Sequence, residues 1–314
     1  MAVRAITFPG QGSQAVGMGV ELAAAFPVAR HLFEEVDEAL KQKLSKLVAE
    51  GPESELTLTE NAQPALMAVS LAAVRVVEEQ SGKSVESMCR FVAGHSLGEY
   101  SALAAAGSLK VSDAARLLKL RGQSMQKAVP VGEGAMAALL GLDLEPARAV
   151  AAEAAQGQVC DVGNDNAPGQ CVVSGNKAAV ERAIALAPSK GGRRGIMLPV
   201  SAPFHSALMA PAAEAMEKAL AQTKLENPSV PLIANVTAAA VSDANEIRKL
   251  LVRQVTGMVR WRESVLAMVN AGVDTLVELG SGKVLTGLAK RIHKDLTALN
   301  AGQPAEIEAF LKTL

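Results

Sequence analysis

Arg90-Phe91-Val92-Ala93-Gly94 is a short apolar run that passes directly into His95-Ser96-Leu97-Gly98-Glu99 and then into an Ala-rich segment ending at Gly107. Read as strand, tight turn and helix, this stretch commits the chain to an α/β fold. Glycines two before and two after Ser96 remove side chains where the turn is tightest. The helix that begins there aims its free amides at the serine, where negative charge develops in acyl transfer. A G-x-S-x-G also occurs by chance, and a Gly/Ser turn can be purely structural. The flanking strand and helix make Ser96 a candidate nucleophile.

The rest of the chain alternates in the same way. A strand is expected over 3–8, running into Pro9-Gly10-Gln11-Gly12-Ser13-Gln14. Helical patterns follow over 20–49, broken by Gly51-Pro52, and over 62–80. Ser112-Asp113 is expected to cap a helix reaching Lys127. The pattern changes near Val129-Pro130. From there the spacing predicts strand 135–141, helix 145–156, strands 158–163 and 170–174, helix 177–187 and strand 195–200, a ferredoxin-like βαββαβ order. Strands are expected again at 231–236, 273–279 and 296–299. The expected fold is therefore a large α/β-hydrolase-like domain with a parallel sheet, formed by 1–128 and 202–314, carrying an inserted small ferredoxin-like α+β domain at 129–201.

Composition narrows the function classes. The chain has 314 residues, is 49% hydrophobic and contains 57 alanines, which favours many closely packed helices. With 31 basic against 32 acidic residues it has no global attraction to nucleic acid or anionic lipid. Aromatics at 3% leave few platforms for stacked bases. The three cysteines, Cys89, Cys160 and Cys171, have no metal-ligand spacing and fit buried thiols of a reducing cytoplasm. The N-terminal apolar stretch is too short for a signal-peptide core, and no 18-residue apolar run offers a membrane span.

A nucleophilic serine needs a base. Among four histidines, His95 neighbours Ser96 and leaves the turn in another direction, while His31 and His293 lie in charged helical stretches expected at the surface. A lone loop histidine is usually structural, but His205, in Ser201-Ala202-Pro203-Phe204-His205-Ser206, becomes the candidate base once Ser96 requires one. Two other motifs fail. Gly10-x-Gly12-x-x-Ala15 lacks the second strand and acid of a dinucleotide site. Gly280-Ser281-Gly282-Lys283-Val284 lacks the first glycine and the hydroxyl of a P-loop.

Phe8-Pro9-Gly10-Gln11-Gly12-Ser13-Gln14, Gly94-His95-Ser96-Leu97-Gly98-Glu99-Tyr100, Arg121-Gly122, Asn164 to Gly175 and Pro203-Phe204-His205 occur in an order and spacing that together resemble the malonyl-CoA:acyl carrier protein transacylases, the malonyltransferases of bacterial type II fatty-acid synthesis. The likeness runs from about residue 3 to about residue 290, and the family's small domain matches the inserted unit. It implies Ser96 as nucleophile and His205 as base, oriented by the backbone carbonyl of Gln254 rather than by a carboxylate. It implies an oxyanion hole made by the amides of Leu97 and Gln11. Arg121 becomes the residue that takes the substrate carboxylate in two charge-assisted bonds; read alone it is a solvated arginine on a helix face. Met125 shares that helix face and is placed to line the acyl pocket. Gln63 and Asn166 match polar positions near the substrate, with helix or turn capping as the other reading. The turn at Gly280 falls where the family has a Gly-rich turn near the CoA or carrier path. Phe204 would crowd a 2-methyl branch, which favours malonyl over methylmalonyl.

The implied partners are malonyl-CoA, which is a substrate and not a cofactor, and an acyl carrier protein. No cofactor, metal, nucleic acid or membrane is implied, and the resemblance implies a cytoplasmic monomer. Carrier proteins are acidic, so Lys190, Arg193 and Arg194, or Lys283, Lys290, Arg291 and Lys294, are candidate docking cations, against ordinary solvated surface. A serine hydrolase, a malonyltransferase of a polyketide or malonate-decarboxylase system and a non-catalytic acyl-carrier scaffold stay open on the residues alone.

Overall fold

The structure, a computed structural model, describes residues 2–314; Met1, at the head of the N-terminal stretch, lies outside them. Ten strands form two sheets. The larger has the order β10-β9-β1-β2-β7-β8, from Thr297–Ala301, Thr275–Leu279, Arg4–Phe8, Phe91–Gly94, Leu232–Ala234 and Ala239–Val241. All its pairings are parallel except β7 with β8.

Period-two alternation explains why helices cover both faces. Ile6, Phe8, Val92 and Val277 point into one core with the helices Pro27–Leu40, Thr59–Ser81 and Val111–Ala128. Ala5, Phe91, Ala93 and Leu276 point into a second core with Trp261–Asn270 and Val284–Ile292. The helix Thr59–Ser81 is apolar nearly all round and buried along most of its length, as its Ala/Val/Leu content requires. Gly122 sets how closely Val111–Ala128 approaches it: a Cβ there would stand 2.5 Å from Glu60 Cα. That contact presses Arg121 against the start of the long helix.

The smaller sheet has the order β4-β5-β3-β6, from Cys160–Ala167, Gln170–Asn176, Gly134–Leu140 and Arg194–Met197, all antiparallel. Ala135, Ala137, Leu139 and Val173 pack under the helices Leu144–Ala155 and Lys177–Leu186. The alternate residues Met136, Ala138 and Val172 belong to the first core of the large sheet. Two backbone bonds join β4 to the segment before Trp261, from Val259 N to Gly163 O (2.9 Å) and from Asp165 N to Val259 O (3.0 Å). The buried Asp165 carboxylate, paired with Arg262 at 2.9 Å, fixes the same joint.

Several expected boundaries move. The helical stretch 20–49 is three helices, Val20–Ala25, Pro27–Leu40 and Leu44–Glu50. Pro27 starts the second, where its missing N–H costs nothing, and Lys41 ends it in a left-handed conformation. Ser112-Asp113 does not cap the helix Val111–Ala128; Lys110 is the N-cap without a side-chain bond, and Asp113 pairs with Arg116. Strand β4 continues through Asn164-Asp165-Asn166, a run that reads as turn chemistry, because β5 pairs with it across Val172 and Cys171 and Val259 adds a bridge at Asn164. β6 stops at Met197, before Pro199. The antiparallel β8 has no counterpart among the expected strands.

Two glycine substitutions with opposite signs check the packing. Gly122→Ala should lose about 1–3 kcal/mol through overpacking. Gly287→Ala, where an added Cβ meets nothing within 4 Å, should gain about 0.5–1 kcal/mol of helix propensity. Urea unfolding of both proteins measures this, and equal shifts would contradict the close helix approach.

Candidate active site

The C-terminal ends of the adjacent strands β1 and β2 carry the site. After Gly94 the chain turns so sharply that Ser96 takes a φ of 54°, a left-handed conformation costly for a residue with a Cβ. A Cβ on Gly94 would lie 1.9 Å from Gly98 C, and one on Gly98 would lie 2.4 Å from Phe8 O. Asn235, just after β7, braces the turn: its Oδ1 accepts from Ser96 N (2.8 Å) and its Nδ2 donates to Gly94 O (2.7 Å).

Ser96 Oγ lies 2.7 Å from His205 Nε2. His205 Nδ1 faces two backbone carbonyls, Gln254 O at 2.8 Å and Gly257 O at 3.1 Å. Both accept only, so Nδ1 carries the proton and Nε2 is free to accept one from Ser96. Burial and the nearby Arg121 charge push the His205 pKa down to about 3, which keeps the ring neutral. His205 also holds a left-handed φ of 57°, so both members of this pair sit on strained backbone. His95 bonds elsewhere: its Nε2 lies 2.9 Å from Asn166 Oδ1, and its ring rests against Trp261. His31 is exposed as expected, whereas His293 is half-buried at the end of Val284–Ile292.

The amides of Leu97 and Gln11 donate to no protein acceptor among the described residues, and both residues line the cavity beside Ser96. Free backbone donors next to a nucleophile are what an oxyanion hole requires.

Arg121 is 1% exposed and has no carboxylate within ion-pair distance among the described residues. Its Nη1 donates to Gln63 Oε1 (2.8 Å), and its Nη2 donates to Gln254 Oε1 (2.8 Å) and to Ser96 Oγ (3.2 Å). Its Nε has no partner among the described residues, and the Tyr100 ring lies 5.9 Å beneath the guanidinium. Gln63 is held by Thr59, whose hydroxyl donates to Gln11 Oε1. A cavity of about 250 Å³ opens over this floor between the two sheets. Met125, Phe204, Met136, Val172 and Leu198 form its apolar wall, and Asn164 and Asn166 its polar edge.

The structure therefore brings together Ser96, His205, Gln254, Gln11, Leu97, Arg121, Met125, Gln63, Asn166 and Phe204. Arg121 is not a solvated arginine, and Asn166 caps no turn. Sequence pattern marks neither Glu99 nor Asn235 as part of the site. Glu99 belongs to the turn motif, but only its burial marks it, and Asn235 follows β7 with no local signal. Of the basic residues, Arg193 and Arg194 are exposed, Lys190 pairs with Glu153, and Lys283 pairs with Glu306. Arg291 is tied to Gln170 and to Pro168 O, joining the last third of the chain to the small sheet. The Gly280 turn packs on the first glycine loop, with Ser281 Oγ donating to Ser13 O (2.7 Å). Among the described residues no cluster of three metal-ligating side chains occurs, and no helix is long and apolar enough to cross a membrane.

Residues 6–306 match the acyl transferase domain family. The malonyl CoA-acyl carrier protein transacylase of Bacillus subtilis is 45% identical over 100% of this chain and 98% of its own, and that of Escherichia coli K12 is 46% identical over 98% of each. The crystal structure of an acyl-carrier-protein S-malonyltransferase from Bartonella henselae superposes with a TM-score of 0.96 at 56% identity, covering 99% of both chains. A malonyl-transacylase solved in complex with a type II PKS acyl-carrier protein superposes equally well, at 44% identity over the full length of both.

The electrostatics make a pH prediction. Sulfonylation of Ser96 by phenylmethanesulfonyl fluoride needs a neutral His205, so its rate should show no fall near the ordinary histidine value as pH drops from about 8 to about 5. Arg121→Gln removes a positive charge beside His205 and should move the acid limb upward. An inflection between about 6 and 7 in the parent protein would contradict a depressed His205.

Proposed function

Because the chain belongs to the malonyl-CoA:acyl carrier protein transacylase family, we propose that it moves a malonyl group from malonyl-CoA to the phosphopantetheine thiol of an acyl carrier protein through a malonyl-Ser96 ester, in fatty-acid synthesis. The observation that carries this reading is the 3.2 Å separation of Arg121 Nη2 from Ser96 Oγ. The malonyl carboxylate is separated from the thioester carbonyl carbon by a single methylene. A cation that holds it must stand beside the nucleophile, and Arg121 does.

Malonyl-CoA enters with its carboxylate on Arg121, displacing the bond to Ser96 Oγ. His205 Nε2 takes the Ser96 proton as Oγ attacks the thioester carbonyl. The amides of Leu97 and Gln11 receive the oxyanion, a contribution of about 3 kcal/mol for each donor. The C–S bond breaks, His205 returns the proton to the CoA sulfur, and malonyl-Ser96 remains. The carrier thiol then gives its proton to His205 and attacks the ester carbonyl; the C–O bond to Ser96 breaks, His205 returns the proton to Ser96 Oγ, and the malonyl thioester of the carrier leaves. The thioester is already activated, so the cycle asks for no resident cofactor. Gln63 and Gln254 hold Arg121, while Met125 and Phe204 limit the width of the acyl group, which disfavours a 2-methyl branch. Asn166 orients His95 at the mouth.

The finer description of the fold belongs to the same reading. The large part, 1–128 and 202–314, is α/β-hydrolase-like. The insertion, 129–201, is ferredoxin-like in its strand order. The three free, buried cysteines accord with a cytoplasmic setting, and the protein acts as a monomer.

Intact-protein mass spectrometry after mixing with malonyl-CoA should record a malonyl adduct that is absent from Ser96→Ala; no adduct on the parent would end the proposal. Arg121→Ala should lose malonyl transfer by about a hundredfold or more, the scale of a lost buried charge-assisted contact, while retaining some acylation by acetyl-CoA.

The exposed pair Arg193 and Arg194 faces solvent without a carboxylate partner among the described residues and supplies the cations for an acidic carrier. Arg193→Glu combined with Arg194→Glu should raise the KM for carrier, most at low salt, and leave the KM for malonyl-CoA unchanged. An unchanged carrier KM would remove this pair from the docking surface.

A further inference from the structure

Glu99 lies in the first turn of the helix Gly98–Ala105, directly beneath the nucleophile turn, and is 1% exposed. Both carboxyl oxygens accept. Asn235 N donates to Oε1 at 2.6 Å, and Gln254 Nε2 donates to Oε2. Burial pushes its pKa up to about 8, with the two donors and the Arg121 charge pulling the other way. A buried acid without a salt bridge is costly to keep, and the transfer cycle above gives it no task.

The side-chain amide of Gln254 can stand in only one orientation. A guanidinium donates and cannot accept, so Oε1 must face Arg121 Nη2. A peptide carbonyl accepts and cannot donate, so Nε2 must face Ser96 O, at 2.8 Å. Nε2 then also points at Glu99, which must present an acceptor. The same Gln254 gives its main-chain carbonyl to His205 Nδ1. One residue thus touches the base, the arginine and the nucleophile turn, and among the described residues Glu99 is the only carboxylate that touches it.

We propose that Glu99 is a positioning residue for the transfer reaction: its carboxyl group, as acceptor, locks Gln254, and through Gln254 it sets both Arg121 and His205 on Ser96. A triad aspartate orients its histidine by direct contact; here the carboxyl group stands one residue further away and serves the arginine as well as the base. This inference rests on the acyl-transfer reading of the site.

Glu99→Gln keeps the shape and puts an NH2 against the NH2 of Gln254. The Gln254 amide must then turn, and Arg121 loses its acceptor. Acylation of Ser96 by malonyl-CoA, followed by rapid-quench mass spectrometry, should slow about tenfold to a hundredfold. Acetyl-CoA has no carboxylate for Arg121 to hold, so its acylation should slow by a smaller factor. Adding Glu99→Gln to Gln254→Ala, which keeps the main-chain carbonyl, should cost almost nothing more, because the route through the amide is already gone. A loss of the same size in both backgrounds, or a Glu99→Gln rate within about twofold of the parent, overturns the inference. If Glu99→Gln does not fold, Gln254→Ala alone decides: a malonyl rate close to the parent's would overturn it. A parent protein that malonyl-CoA fails to acylate would instead bring down the transfer reading itself, whatever the variants do.

Discussion

A guanidinium buried without a carboxylate partner is the constraint around which the site is arranged. Removing Arg121 from water is costly, and a direct ion pair would repay part of that cost. Instead its donors go to neutral oxygens: Gln63 Oε1, Gln254 Oε1 and Ser96 Oγ. These bonds are weaker than those to a carboxylate and leave Nε without a partner. The fork is held in position while its charge stays available to an incoming anion. A row of polar side chains keeps it there, from Gln11 through Thr59 and Gln63 to Arg121, and on through Gln254 to Glu99. It begins at one proposed oxyanion donor and ends under the nucleophile turn.

The same charge acts on the base. Arg121 and burial together hold His205 in its neutral form, so the imidazole can accept the serine proton without first having to lose one. In the proposed cycle a substrate carboxylate on Arg121 cancels part of that positive field. The imidazolium that forms during attack then becomes less costly. The proposed cycle thus couples substrate binding and proton acceptance through one charge at the floor of the cavity, and a substrate lacking the carboxylate forgoes the coupling.

Much of this was legible in the sequence because sharp local geometry demands particular residues. The G-x-S-x-G turn needs glycines at 94 and 98 for contacts that no Cβ could make, and a histidine after Pro203 was the one base left by elimination. Gly122 beside Arg121 is legible in hindsight as a helix contact. Asn235 and Glu99 were not legible, since their roles come from strands and helices meeting across more than a hundred residues of chain. The strand character of Asn164 to Asn166 was hidden for the same reason: three turn-forming residues adopt an extended course because β5 pairs along them and Val259 bridges Asn164. Tertiary hydrogen bonding overrode local preference there.

The small sheet divides its labour by the simplest rule in β structure. Alternate residues of β3 and β5 face opposite ways. Ala137, Leu139 and Val173 close the unit's own core, while Met136 and Val172 face the cavity with Leu198 and Phe204. Ser96, His205 and Arg121 all lie outside the small sheet, which supplies the polar edge at Asn164 and Asn166. The wall that an acyl chain touches can therefore change at Met136 or Val172 without moving Ser96, His205 or Arg121. The β4–Val259 bonds and the Asp165–Arg262 pair make such a division workable, because they hold the wall at a fixed distance from the nucleophile. In the proposed reading both parts of the chain line the acyl group, Met136 and Val172 from the small sheet and Met125 and Phe204 from the part that carries Ser96, so width can be tuned from either side of the seam.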